Sequence, residues 1–301
     1  MHRMRRLAVR GGRPGRQAYR QGAGQRAGAG PRRAGRKQRG PCPGPNLKSE
    51  ETMSDTMYYE KPVLLERDKH RHRRVRPSTS FAFARKANSL YLAGAEFAEA
   101  CKEYPIVFTR SGGAVVPVAM LGLRARENLF VNEEGEWTGK YIPAFVRRYP
   151  FVLTELAGQA TMGVCIDEAF PGLNDTEGEA LFDSQGNVTP FLKNAVDFLT
   201  RYQQEYRRTE AFCQRLVQAD LLTEMNAKAD LSDGRTFTVN GLLVVDEKKL
   251  MALPDAVALS LFRAGELHLI SMHLMSLPNM KKLVDQMAGR KVQLQPAPKP
   301  A

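Results

Sequence analysis

Two prolines and two glycines leave the backbone few choices along residues 129–151, LFVNEEGEWTGKYIPAFVRRYPF. Pro143 suits the first turn of a short helix, where its missing N–H costs nothing. Pro150 stops that helix after about one and a half turns. Upstream, Glu133-Glu134-Gly135 reads as a hairpin turn after the apolar run Leu129-Phe130-Val131, and Gly139 brackets Tyr141 from the other side. The only Trp of the chain falls inside this stretch. Trp137, Tyr141, Phe145, Tyr149 and Phe151 are expected on one side, with Arg147 and Arg148 beside them.

Such a cluster has two readings. In the functional one, Trp137 and Tyr141 form a stacking platform for a sugar or an aromatic peptide group, next to Tyr149, and Arg147 or Arg148 holds a carboxylate bidentately. In the other, the aromatics are core and the arginines pair with acids such as Glu155. Neighbouring residues of a helix point about 100° apart, so only one of the two arginines is expected to face a site.

Outside this block the chemistry-bearing motifs are sparse. His268 and His273 lie about 140° apart on a helix, whereas a metal pair wants i, i+4 spacing. One of them facing a cleft is the functional reading that remains. Cys165 sits next to Asp167-Glu168, whose charges oppose thiolate formation. No GxSxG, Walker loop or HExxH occurs, and no metal site or cofactor is expected.

The net charge of +13 resembles a nucleic-acid signal until it is located. Residues 1–56 carry 14 Lys+Arg against three acids, a net of +11, which leaves +2 for the remaining 245 residues. The folded domain is therefore not expected to bind nucleic acid. The Arg/Gly/Ala/Pro tail cannot bury enough apolar surface to offset its ordering entropy and is expected to be disordered. A nucleic-acid tail would interleave aromatics, and Tyr19 stands alone; a transit peptide would carry more Ser. The third reading, a translated upstream region, places the true start at Met53 or Met57.

The four cysteines, Cys42, Cys101, Cys165 and Cys213, form no CxxC pair and read as buried free thiols. No apolar run approaches the ~18–20 residues needed to span a bilayer, and no apolar stretch follows the N-terminal basic residues. The expected location is the cytoplasm.

Hydrophobic periodicity divides the rest. Residues 58–66 read as a first strand with Pro62 at an edge. Lys69–Arg76 reads as a strand with His70 and His72 on one face. Phe81–Leu92 reads as a buried strand pair, and 94–104 as a helix with Ala93, Phe97, Ala100 and Cys101 inward and its acids outward. Ile106–Thr109, Ala114–Leu123, Phe151–Ala157 and Met162–Asp167 read as strands, the first two joined at Gly112-Gly113. An acidic loop, 172–186, precedes a helix capped by Thr189 with Pro190 at its first position. The helical run continues through Leu222. Asn240-Gly241 signals a hairpin, and helices are expected at 255–263, 267–277 and from 279 to about Met287. These elements give an α+β fold: a strand-rich N-terminal body and a helical C-terminal half in a single compact domain, 57–290, with 291–301 loose.

Three blocks taken together resemble the SapC family of bacterial proteins: GEWTGKYIPAFVRRYPF (135–151), FTVNGLLVVDEKKL (237–250) and AGELHLISMHLMSL (264–277). The resemblance implies association with a surface-layer or envelope system and brings no catalytic role with it. The expected function is a non-catalytic accessory protein. Its aromatic/arginine block would bind a peptide, a glycan or a protein partner, and its ligand-binding candidates are Trp137, Tyr141, Arg147, Arg148, Tyr149, His268 and His273. The alternative is an enzyme acting on a small carboxylate-bearing substrate, with one of the two histidines as its proton-transfer group. The alternative location is the cell surface, reached by a non-cleaved export route.

Overall fold

The computed structural model describes residues 58–155, 162–230 and 236–289, and the expectations for the two chain ends lie outside them. The chain runs through β1 (Pro62–Leu64), a one-turn helix α1 (Arg67–His70), β2 (Arg74–Val75), β3 (Ser89–Tyr91) and a second one-turn helix α2 (Phe97–Ala100). Next come β4 (Ile106–Ser111), β5 (Ala114–Met120), α3 (Ala144–Arg147), β6 (Phe151–Glu155) and β7 (Met162–Asp167). Two short strands, β8 (Leu173–Asn174) and β9 (Glu179–Ala180), precede the long helix α4 (Pro190–Gln218). The remainder is β10 (Leu222–Asp230), β11 (Thr236–Val245), α5 (Glu247–Met251), α6 (Asp255–Arg263), α7 (Glu266–Ser276) and α8 (Asn279–Gly289). This is an α+β fold.

The described strands form three antiparallel sheets. The largest has the order β10-β11-β4-β5-β3; the others are β1-β7-β6 and β8-β2-β9. Gly112 and Gly113, at φ +56° and +80°, make the reversal that pairs Ser111 with Ala114. Along β4, Ile106, Val107 and Phe108 are buried from both sides, as a central strand covered by helices requires.

Helix α4 covers both halves of the core. Leu192 and Leu199 enter a smaller cluster with Val75, Phe151, Ile166 and Phe170. Further along, Tyr202, Phe212, Cys213 and Leu216 enter the main core, where the Phe212 ring centroid lies 6.5 Å from Phe97 and 6.2 Å from Phe108. The helix starts where Thr189 Oγ1 accepts the Leu192 N–H at 3.3 Å, and the same hydroxyl donates to the Ala180 carbonyl at 2.7 Å. Thr189→Ala should therefore destabilise the fold by about 1–2 kcal/mol, read as a lower urea midpoint with unchanged slope.

Four expectations are corrected. Lys69–Arg76 is not one strand: α1 ends at His70, which is buried where its Nδ1 accepts the Glu66 N–H at 3.1 Å, whereas His72 is exposed. Phe81–Leu92 is not a strand pair but a 3-10 turn at Ala82–Ala84 followed only later by β3. Asn240-Gly241 is not a hairpin turn. It lies inside β11 as a bulge, where the register shifts opposite Met225–Ala227 and Gly241 takes φ +76°. Finally, α4 ends at Gln218, and Leu222 already belongs to β10.

Candidate functional site

The aromatic block is built around a small loop. Val131 bridges Trp137 across the turn at Asn132–Gly135, and Gly135 takes φ +86° there. Trp137 is half-buried, its Nε1–H shared between Tyr104 Oη at 3.0 Å and the Tyr141 carbonyl at 3.2 Å. Tyr104 donates its own hydroxyl to that same carbonyl. Gly139 has to lack a side chain because a Cβ there would lie 2.6 Å from Tyr104 Oη and 3.0 Å from Trp137 Nε1. Trp137 is thus fastened to Tyr104 in the turn after α2, the helical residues ending at Ala100 and not at 104 as the spacing suggests.

The acid that organises the block is Glu96, which the helical spacing placed outward and the structure buries. One carboxylate oxygen accepts the Ala144 N–H at 2.6 Å and the Tyr141 hydroxyl at 2.8 Å; the other accepts the Ala93 N–H at 3.0 Å. Burial pushes the Glu96 carboxyl above its usual range, against the pull of these donors and of Arg147. The Tyr141 hydroxyl is raised as well, first by its own partial burial and then by the neighbouring Glu96 carboxylate.

Arg147, the last residue of α3, and Arg148, its C-cap, diverge as helical geometry requires. Arg148 is 5% exposed, its guanidinium 4.0 Å from the Phe145 ring centroid and 5.1 Å from that of Tyr202. Arg147 is exposed. Its Nε donates to the Ile142 carbonyl at 2.9 Å, and its guanidinium lies 5.3 Å from the Phe198 centroid and 5.9 Å from that of Tyr141. Tyr149 stacks on Phe83 at 4.2 Å and donates its hydroxyl to Asp167 at 3.1 Å. Asp167 is fully buried and also accepts the Lys61 N–H at 2.8 Å and the Ala169 N–H at 3.0 Å.

Arg147, Arg148 and Tyr149 share one open cleft of about 450 Å³ between α3, the 77–83 segment and the first turns of α4. Phe81, Phe83, Phe151, Phe170, Phe191 and Phe198 give it a largely aromatic wall, and Ser78, Ser80 and Asn194 add neutral polar groups. Among the described residues the lining includes no Asp, Glu, His or Cys.

The remaining candidates lie elsewhere. Trp137 and Tyr141 are outside the cleft lining, on the loop behind it. His268 is exposed on α7, and His273 is completely buried. His273 donates from Nδ1 to the Ile106 carbonyl at 2.8 Å, and its Nε2 accepts the Val245 N–H at 3.1 Å. Burial pushes it down to about 4, so it is a neutral pin between β4 and β11. Neither histidine is brought to the arginines. Burial also pushes the Cys165 thiol up to about 11 and the Cys213 thiol up to about 12, and both are free. Among the described residues no three His, Cys, Asp or Glu side chains gather as metal ligands, and no helix is long and apolar enough to cross a membrane.

The SapC family profile matches residues 65–283. The chain belongs to the SapC family. No curated protein and no solved structure matches it. The SapC match spans every residue that lines the cleft and the Glu96–Tyr141 pair behind it. Sequence reasoning singled out the α3 side of this SapC cleft and missed its other walls: Phe81 and Phe83, Phe170, and the Phe191, Asn194 and Phe198 face of α4. The signal for the α4 wall was present, since Phe191, Ala195 and Phe198 recur along α4 at helical spacing.

Proposed function

We propose that this SapC-family chain is a non-catalytic binding protein that holds an apolar peptide segment of a protein partner in the aromatic cleft. One observation carries the reading: an open, aromatic-walled cleft of about 450 Å³ whose described lining offers no carboxylate, imidazole or thiol for proton transfer. That volume falls in the range of small-molecule pockets, ~300–1,000 Å³. The enzyme alternative needed a histidine beside Arg147 or Arg148, and the two histidines of α7 lie away from them. In this reading the partner belongs to a surface-layer or envelope system, as the family name suggests, and is met in the cytoplasm.

Asn194 lies on the exposed side of α4 at the cleft wall, so Asn194→Trp fills the cleft without touching the core. Co-purification from the native host should recover an envelope or secretion protein with the wild type and lose it with Asn194→Trp at unchanged thermal stability. Equal recovery with both would remove the cleft from the reading. Cell fractionation tests the location; recovery on the outer surface would replace the cytoplasmic proposal.

A further inference from the structure

The described lining of the cleft is largely apolar, and Arg147 brings a charge to its exposed side. Its described lining holds two guanidinium groups and no carboxylate. Arg148 lies between aromatic rings, whereas Arg147 reaches solvent. Resting on the binding reading above, we propose that the cleft recognises the free C-terminus of a peptide ending in an aromatic or large apolar residue, with Arg147 receiving the terminal carboxylate and Tyr141 as its positioning residue.

The geometry fixes Arg147 before any ligand arrives. Nε is held by the Ile142 carbonyl at 2.9 Å, and Nη2 lies 3.5 Å from Tyr141 Oη. That hydroxyl is itself anchored by donating to buried Glu96 at 2.8 Å. Phe198 supports the guanidinium plane at 5.3 Å. A guanidinium has five N–H donors in a rigid fork, and these two contacts leave the outer edge for a planar, two-oxygen acceptor. A carboxylate matches that edge with two parallel hydrogen bonds. Restraint of this kind removes part of the ordering cost of binding. A C-terminal residue brings the carboxylate and the apolar side chain together from one residue, which suits a volume of about 450 Å³ better than a chain passing through.

The test uses the full-length protein with N-acetyl-leucyl-phenylalanine, its C-terminal amide, and inorganic phosphate, followed by calorimetry. The acid should bind at least about tenfold tighter than the amide, as expected for a charge-assisted bidentate pair. That advantage should disappear in Arg147→Gln and shrink in Tyr141→Phe, a change that keeps the ring and removes only the hydroxyl. Equal binding of acid and amide overturns the terminal-carboxylate inference while the cleft reading stands. If neither peptide binds, both fall. Phosphate competing as strongly as the acid marks a general anion site and overturns the inference. Undiminished acid preference in Tyr141→Phe removes the positioning role of Tyr141.

Discussion

Glu96→Ala should destabilise the protein by about 3–5 kcal/mol, because it strands two buried N–H donors and a partly buried hydroxyl at once and each uncompensated buried group costs about 1–3 kcal/mol. The donors are the Ala144 and Ala93 N–H groups and the Tyr141 hydroxyl. They belong to two segments almost fifty residues apart, so the loss should reach beyond the local turn. Glu96→Gln retains one acceptor oxygen and should lose about half as much. Urea titrations followed by circular dichroism check both. A loss below about 1 kcal/mol for Glu96→Ala would mean that water replaces the carboxylate, and that the block is not held as described.

His273 gives the second large effect, in the pH dependence of stability. Its folded-state value lies near 4 because of burial, against an ordinary value near 6.5. Below the ordinary value the unfolded chain takes up a proton that the folded chain refuses. The contribution of neutral His273 is thus fully present above about pH 6.5 and is lost as pH falls toward 4, by about 3 kcal/mol in all. Burial lowers His70 in the same sense. Glu168, pushed down to about 2 by Lys61 and Lys69, acts in a more acidic window, below about pH 4.5. The raised carboxyl of Glu96 acts oppositely. Comparing wild type with His273→Gln at each pH isolates the one residue, since the other groups are common to both. The stability gap between them should narrow by about 3 kcal/mol from pH 7 to pH 4. A gap that stays constant would show that His273 does not titrate in this range.

How much of this was legible in the sequence depends on the range of the interaction. The β4–β5 hairpin, the capped start of α4 and the helices from 255 onward follow from periodicity and from Gly, Pro and Thr at fixed offsets, all local signals. The α3 helix and its diverging arginines were legible for the same reason. The failures came where distant contacts overrode local pattern. Glu96 sits at a position that helical spacing marks as exposed, yet its partners come from residues 141–144. Asn240-Gly241 carries the local chemistry of a turn, but pairing with β10 continues past it and converts it to a bulge. His273 looks like a group that could face a cleft; only the positions of Ile106 and Val245 show that both its nitrogens are taken. The cleft was half legible, because its second wall comes from α4 and from the 77–83 segment, neither of which announces its neighbour.

The C-terminal helices bond back to one short segment: Asn279 donates to the Cys101 carbonyl at 2.7 Å, Ser276 accepts the Ile106 N–H at 2.8 Å, and His273 takes the Ile106 carbonyl. These contacts span about 170 residues of chain. On the ribosome, β4 emerges long before Ser276 and His273 can cap its start at Ile106. Synthesis at ~5–20 residues per second turns that separation into a delay of roughly ten to thirty seconds. Throughout that interval the Ile106 N–H and carbonyl lack the Ser276 and His273 partners they have in the folded chain, although the rest of β4 can already pair with β5.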